Sequence, residues 1–391
     1  MLNEITRMVA EEGTFKQRIM QVAVQYIFFL FLQVKDHHFE AAGEIFEKDA
    51  SRYSHLLNKA GTRLKAGQLH NRAMRRRLAK LKIDFKDRIV VILDSTLWGR
   101  KGRKIENKSA FNHGKGAVYG HKFINIGILT ATEFVPIESL PYYSIQYCKE
   151  QKLKFKTEND IAIEWVFKLP YLGLFPKEVL KKVLFLMDAG YDCKELQRAI
   201  KTIGANFICA LKTSRNVGGE SVVKYFKNHR NLKGESIRLH VGNGGKNSRR
   251  TYSVRLSVEC RLKGVGEVQA VCSKKHDGTK KYLATSDLTL TAREIVFWYA
   301  NRWAIETWHR EMKQNFGFIE CRCSKFEAIH AHVLFSLVAY NFAREKGFEK
   351  ISSTEYLKTE TLKEIKVELT KFGGLQSARN LISAALESMA A

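Results

Sequence analysis

Proline is scarce in this chain, with 4 residues among 391. A Pro-rich linker is therefore excluded, so domain boundaries have to be read from changes in residue pattern. Long apolar runs are also lacking, since the most apolar stretch, from Val22 to Val34, contains two glutamines and has 13 residues. A membrane-spanning helix needs about 20 apolar residues. We predict a buried helix there and no contact with a membrane.

Cysteine is sparse, and the seven cysteines are scattered along the chain. Small secreted scaffolds have dense, even sets of cysteines, so this odd number is more typical of a reducing cytosol. The amino terminus also lacks the charged, then apolar, then small-residue order of a signal peptide. We expect a cytoplasmic protein.

Acidic residues are too few to balance the basic ones, because 66 Lys and Arg stand against 40 Asp and Glu, a formal charge of +26. The chain is 45% hydrophobic and 11% aromatic, which is typical of a folded protein. A folded chain with such an excess of positive charge repels itself unless its partner is a polyanion. Nucleic acid is the first expectation for that partner.

The pattern along the chain predicts a helical domain first, over residues 1–88. It ends in NRAMRRRLAKLKIDFKDR, which has eight Lys and Arg against two Asp. We interpret the domain as DNA-binding, with Arg75, Arg76 and Arg77 as phosphate contacts; a solvated, charged helix face is the alternative.

From Arg88 onward the pattern changes to short apolar strands that alternate with helices, which predicts a mixed α/β sheet over residues 89–345. The strands expected first are 88–94, 121–131, 183–188 and 206–212, with a polar, helix-like region between 131 and 169. Short alternating segments with Gly and Asn predict a β-rich insertion at about 213–287. Helical periodicity returns after Thr291, and residues 346–391 are expected to form a helical C-terminal region.

Two of these strands end in an acid, Asp94 in VVILD and Asp188 in VLFLMD. This places both carboxylates at the carboxyl end of buried strands, where sheet proteins gather ligands. Taken alone, each acid could equally serve as a helix N-cap or turn residue. Asp192, four residues after Asp188, is a rival for the same role, although an N-cap at the next helix explains it more simply.

A third element favours a shared functional site for these acids over separate capping or turn roles. The helical segment after Thr291 carries Tyr299, Arg302, Glu306 and Lys313, which project within an arc of roughly 60° at ~100° per residue. A helix face that only packs into the core would not contain these residue types. A solvated Arg302–Glu306 pair at i,i+4 is the alternative.

These four residues, in the order Y-x2-R-x3-E-x6-K, resemble the hallmark of bacterial insertion-sequence transposases with a YREK signature. The resemblance implies a ribonuclease H-like mixed sheet and a catalytic triad of two Asp and one Glu. Asp94, Asp188 and Glu306 match these positions in order. The group also has a β-rich insertion between the second Asp and the Glu, as predicted above.

The resemblance implies a DNA transposase that cleaves the ends of its own element and joins the 3′-OH ends to target DNA. Two Mg²⁺ ions, for which Mn²⁺ can substitute, would be held by Asp94, Asp188 and Glu306. Phosphates would be contacted by Tyr299, Arg302 and Lys313. The implied partners are double-stranded DNA, as terminal inverted repeats and target, and a second copy in a synaptic homodimer. The implied location is the bacterial cytoplasm, at the nucleoid.

Further DNA contacts are predicted on two segments. Trp303 directly follows Arg302, and in the resembled group an aromatic there holds a flipped base while the DNA end closes into a hairpin; a core aromatic is the alternative. Lys101 and Arg103 lie in a basic turn after Asp94, which we interpret as a phosphate-contacting loop rather than a solvated hairpin. Another ribonuclease H-fold nuclease, such as a junction resolvase, and a catalytically silent DNA-binding descendant remain alternative functions.

Overall fold

The computed structural model describes residues 2–11, 15–32, 37–81, 83, 87–112, 116–130, 133–232, 234–240, 249–275 and 277–345. Its α-helices are α1 Leu2–Glu11, α2 Gln17–Phe31, α3 Phe39–Phe46, α4 Ser51–Asn58, α5 Thr62–Leu81, α6 Ile145–Glu150, α7 Glu158–Lys168, α8 Lys194–Thr202, α9 Val222–Asn228, α10 Ala292–Asn301, α11 Trp303–Asn315 and α12 Phe326–Glu345. The predicted C-terminal helical region, residues 346–391, lies outside the described residues.

The strands are β1 Ile89–Gly99, β2 Ser109–Asn112, β3 Ala117–Leu129, β4 Phe134–Pro141, β5 Val183–Met187, β6 Asn206–Ala210, β7 Asn216–Val217, β8 Glu220–Ser221, β9 Gly234–His240, β10 Arg249–Leu262, β11 Gly266–Lys275 and β12 Lys280–Thr285. Within the described residues they form one mixed sheet. Its first part has the order β4-β3-β1-β5-β6, in which β1 is antiparallel to β3 and parallel to β5, and β5 is parallel to β6. This topology is ribonuclease H-like and confirms the predicted fold class.

The β-rich insertion is also confirmed. Strands β7 to β12 lie between Thr213 and Asp287, and α9 is the one helix described there. The insertion extends this sheet, because β12 pairs antiparallel with β6, and β11 and β10 follow in order. The insertion is thereby held beside the strands that carry Asp94 and Asp188.

One strand lies in the region that the sequence pattern assigned to helix. β4 contains Pro136 and Pro141, which weaken a strand prediction because proline cannot donate a ladder hydrogen bond. β4 pairs with β3 at the border of the sheet, where an edge strand tolerates proline. The prediction of a helix-like region from 131 onward is therefore wrong up to residue 141 and right for α6 and α7.

The N-terminal helices share their core with the last described helix. The predicted buried helix in the apolar N-terminal run is confirmed as α2, which packs with α5 against α12. α12 is buried at Phe326 and from Ala328 to Ala343, as expected for a helix enclosed on nearly all sides. Among the described helices, none is both long and apolar enough to cross a membrane. The predicted division at residue 88 stays a prediction.

Buried neutral histidines make the stability of this core depend on pH. Burial lowers the pKa of His70 and of His332 to about 4 each. Both rings fit the neutral form: Nε2 of His70 donates to the Ile137 carbonyl, and Nε2 of His332 donates to the Gly317 carbonyl. The unfolded chain takes up these protons below about pH 6.5. The stability that depends on these neutral rings is therefore fully present above pH 6.5 and is lost as the pH falls towards 4.

We expect thermal melts at pH 5 to show a lower midpoint than melts at pH 7.5, with about 2 kcal/mol lost per buried histidine. Replacing His70 by Gln should weaken this pH dependence, whereas replacing the exposed His55 by Gln should leave it unchanged. A melting temperature that does not vary across this range would show that the buried rings are not the titrating groups.

Candidate active site

Asp94 and Asp188 lie side by side at two neighbouring strands. β1 and β5 are parallel with Leu93 opposite Met187, and the two acids are the residues that directly follow this pair. β5 ends at Met187, but β1 continues past Asp94 to Gly99, paired with β3. Asp94 is therefore inside a strand rather than at its end, at the point where β1 extends beyond its parallel partner.

Each carboxylate is tied to its local backbone. Asp188 accepts a hydrogen bond from the Gly190 backbone N–H at 2.8 Å, at the start of a short 3₁₀ turn. Asp94 accepts one from the Ser95 N–H at 2.9 Å. These bonds hold the acid side chains at the carboxyl edge of the sheet.

The third acid enters this edge from the helical segment. α10 and α11 meet at Arg302, whose backbone is itself helical with φ −53 and ψ −27, so the predicted stripe spans two successive helices. Arg302 Nη1 donates to Asp94 Oδ2 at 3.2 Å, and Nη2 donates to Glu306. Arg302 thus joins Asp94 on the sheet to Glu306 on α11.

The electrostatics of this cluster centre on Asp94. The pKa of its carboxyl group is raised to about 6, chiefly by burial; Arg302 opposes this shift, and the negative charges of Asp188 and Glu306 add to it. Crowded carboxylates that repel one another stabilise a cation placed among them. These acids therefore attract positive charge, which Arg302 supplies in part.

The donor set fits a hard divalent cation, although the three acids are not gathered around one point. Within the described ranges, no three His, Cys, Asp or Glu side chains are close enough to hold a metal ion together. Arg302 lies where it neutralises two of the acids and so stands in for a cation. Carboxylate oxygens are the ligands that Mg²⁺ and Mn²⁺ prefer.

A buried pair behind Asp94 was not foreseen from the sequence. Asn125 lies opposite Asp94 on β3, and its Nδ2 is 2.9 Å from Nε2 of His309. Burial lowers the pKa of His309 to about 3, so the ring is neutral and accepts this hydrogen bond. The available signals were weak: one polar residue in the apolar run FINIGIL, and a histidine three residues after Glu306.

The other two members of the predicted stripe lie beside the acids. The Tyr299 ring lies under the Arg302 guanidinium at 6.0 Å and under the Lys281 ammonium at 5.1 Å. Lys313 is partly buried; burial lowers its pKa, and the charge of Asp94 opposes that shift. The structure therefore brings Tyr299, Arg302, Glu306 and Lys313 to the edge that holds Asp94.

Comparison with known proteins agrees with this geometry. Residues 85–342, well over half of the 391 residues, match the family described as the transposase DDE domain. The chain belongs to the DDE transposase family. Members of this family generally use divalent metal ions, and the match contains Asp94, Asp188 and Glu306.

The other comparisons add little to the DDE transposase assignment. No curated protein matches the chain. Among solved structures, the chain is similar to a piggyBac transposase in a synaptic complex with hairpin DNA, with a TM-score of 0.40 and 12% identity over 77% of this chain. The similarity covers 54% of the piggyBac chain, so the present chain spans about half of that transposase.

Within the transposase domain, two tryptophans differ sharply in exposure. Trp303 is 46% exposed and Trp308 is 2% exposed, so Trp303 is not the core aromatic that the alternative required. Asp192 is buried and accepts hydrogen bonds from the Lys212 backbone N–H at 2.9 Å and from Gln197 at 3.1 Å. The N-cap of α8 is its neighbour Cys193, so the predicted N-cap role of Asp192 is wrong.

Three predicted DNA contacts, Arg75, Arg76 and Arg77, precede the matched region on α5. Arg77 is 1% exposed and forms an ion pair with Glu133, so it has no surface for DNA and we correct its predicted role to a structural one. Arg76 pairs with Glu345 at 2.8 Å. The exposed Arg75 donates to two backbone carbonyls and to the Asn71 side-chain oxygen, all neutral acceptors, and pairs with no acid among the described residues. Arg75 is therefore the best placed of the three.

The basic turn after β1 is open to solvent. Lys101 and Arg103 are both exposed, and they line one cleft with Lys104 and Arg322. Arg100, in contrast, is bound inward, where it donates to the carbonyls of Cys321 and Cys323. Lys101 and Arg103 therefore have the accessibility that a phosphate contact needs.

Proposed function

We propose that this chain is a transposase of the YREK-signature bacterial insertion-sequence group. It would cleave at the ends of its element and join the 3′-OH ends to target DNA. The proposal rests on the position of Arg302, which binds both Asp94 on β1 and Glu306 on α11. Asp188, the acid that follows β5, lies beside Asp94. This arrangement sets Asp94, Asp188 and Glu306 at one edge of a ribonuclease H-like sheet, within a DDE transposase domain.

Two divalent ions, Mg²⁺ or Mn²⁺, would be held by Asp94, Asp188 and Glu306. Bound there, the ions would supply an activated attacking oxygen and stabilise the leaving oxygen of an in-line displacement. Arg302 would exchange its bonds to Asp94 and Glu306 for a DNA phosphate, since its fork of donors suits carboxylate and phosphate equally. Lys313 and Tyr299 would hold neighbouring phosphates.

The DNA partner would be duplex, as terminal inverted repeats and as target, with two copies of the chain pairing two ends. The helices of residues 1–88 would contact the terminal repeat, with Arg75 and Arg76 as phosphate contacts and Lys101 and Arg103 beside the active site. Because α5 packs against α12, deleting residues 1–88 would expose core surface. Substitution of the exposed cations is the cleaner test of end recognition.

The function is tested by incubating the full chain with DNA that carries the inverted repeats flanking its reading frame, with Mg²⁺ or Mn²⁺. Cleavage at the repeat boundary that leaves a 3′-OH is the expected result. Cleavage of four-way junctions but not of repeat ends would indicate a junction resolvase. Specific binding of the ends without cleavage would indicate a catalytically silent descendant.

Replacing Trp303 by alanine should slow hairpin closure of the DNA end while leaving first-strand nicking nearly unchanged. Folding the end back requires one base to leave the stack, and an indole face recovers about 1–3 kcal/mol of the lost stacking. The side chain is half exposed, so its removal should not unfold the protein. Denaturing gels would resolve nicked and hairpin products, and closure at the wild-type rate would exclude this role.

A further inference from the structure

The hairpin formed by β11 and β12 carries four lysines, two on each face. Lys274 lies directly opposite Lys280, while Ser273 lies opposite Lys281. Side chains alternate between the faces of a strand, so Lys275 and Lys281 share the face opposite to that of Lys274 and Lys280. The hairpin therefore offers two lysine pairs of equal charge that point in opposite directions.

The face with Lys275 and Lys281 lines a cleft against the catalytic helices. The cleft has a volume of about 150 Å³, and Tyr299, Arg302, Trp303 and Glu306 line its other side. Neither Lys274 nor Lys280 lines it. The Lys281 ammonium lies 5.1 Å from the centre of the Tyr299 ring. One pair of lysines thus continues the Tyr299–Arg302 stripe onto the β-rich insertion.

The charges in this cleft are unbalanced. Lys275, Lys281 and Arg302 line it against one described acid, Glu306, which is already bound to Arg302. No ion pair of Lys275 or Lys281 with any acid occurs in the part of the chain that the structure describes. The pKa of Lys281 is lowered, first by its partial burial and then by the charges of Arg302 and Lys275. An anion in the cleft would relieve this repulsion.

The size and position of the cleft indicate which anion it takes. Pockets for drug-sized molecules have volumes of about 300–1,000 Å³, so this cleft suits a phosphate group rather than a free cofactor. It opens beside Glu306, one of the acids of the candidate active site. A phosphate bound here would therefore lie close to the reacting phosphodiester.

We propose that Lys275 and Lys281 form a phosphate clamp on the insertion, which holds the backbone of the cleaved DNA end beside the reacting phosphodiester. The proposal rests on the transposase function proposed above and adds a substrate-positioning site to it. The clamp fixes the strand between the insertion hairpin and the catalytic helices. Lysine suits this role because its ammonium acts as a point charge towards phosphate oxygens.

The test compares two double variants of the full chain, K275Q/K281Q and K274Q/K280Q, which remove equal charge from the same hairpin. The probe is a fluorescent duplex ending at the terminal repeat, titrated at several salt concentrations without divalent ions. Each lost phosphate contact lowers the magnitude of the negative slope of log K against log salt by about 0.9. We expect a decrease of about 1.8 for K275Q/K281Q, less than half of that for K274Q/K280Q, and recovery of the slope in K275R/K281R.

Equal changes of slope in the two double variants would overturn the clamp, because they would reflect net charge alone. So would an unchanged slope for K275Q/K281Q with a normal thermal melt. Cleavage by the wild-type chain is measured in parallel. If the wild type does not cut the ends, the transposase function fails, whereas a wild type that cuts combined with equal slopes refutes only the clamp.

Discussion

Replacing Asp94 by asparagine is expected to reduce cleavage of DNA ends by about 10²–10⁴-fold, the equivalent of several kcal/mol of transition-state stabilisation. Asparagine keeps the shape of the side chain and removes the negative charge that a divalent ion requires. Asp188→Asn and Glu306→Gln should have effects of the same order. Binding of end DNA should be retained or become tighter, because an acid that repels phosphate is lost. Gel assays of cleavage and of binding separate the two effects.

Asp192→Asn is the matched control, because this buried carboxylate is bound by the Lys212 N–H and by Gln197 rather than by Arg302. It should lower stability and leave the cleavage rate of the folded fraction close to the wild type. Normal cleavage by Asp188→Asn, with no cleavage by a folded Asp192→Asn, would mean that the second acid has been assigned to the wrong residue.

Replacing Arg77 by alanine is expected to destabilise the protein by about 3–5 kcal/mol, which is typical when one partner of a buried ion pair is removed. Arg77 Nε donates to Glu133 at 3.1 Å, Nη1 donates to Asn341 at 3.0 Å, and the guanidinium lies 5.0 Å from the Tyr340 ring centre. These contacts join α5 to α12 and to the segment that leads into β4. Urea denaturation measures the loss.

Arg76→Ala is the neighbouring comparison, since its partly exposed pair with Glu345 should contribute no more than about 1 kcal/mol. The double variant of Arg77 and Glu133 to alanine should be less destabilised than the sum of the single variants, because neither charge is left unpaired. An Arg77→Ala protein that melts like the wild type and binds DNA less tightly would contradict the structural role.

Local sequence patterns were sufficient for much of the fold. Short apolar runs predicted β1, β5 and β6, a longer apolar run predicted α2, and helical periodicity predicted α12. Those signals are strong because buried strands and helices consist mainly of a few apolar residue types. β4 was missed because its two prolines are tolerated at the edge of the sheet, and edge position depends on the order of strands, which a local pattern does not contain.

The acids of the site could be predicted from residue type, spacing and a family resemblance. The residues that surround them in the folded chain could not. The spacing from Tyr299 to Lys313 is a local property of a helix, and it predicted a common face. Arg77 was misjudged because a run of arginines is the same in sequence whether it faces solvent or a buried glutamate. The pairing of Asn125 with His309, and the approach of Lys281 to Tyr299, each depend on segments distant in sequence that meet only in the folded chain.

If Asp94, Asp188 and Glu306 together cut and join DNA ends, strand transfer will require all three acids. The most direct measurement mixes the full chain, Mg²⁺ and a labelled terminal-repeat end with a supercoiled target plasmid, and then maps the joined products. We expect labelled 3′ ends covalently joined to the plasmid with Mg²⁺ or Mn²⁺, and no joining by D94N, D188N or E306Q, each folded and able to bind the end. Joining by any of these three variants at the wild-type rate would contradict this requirement.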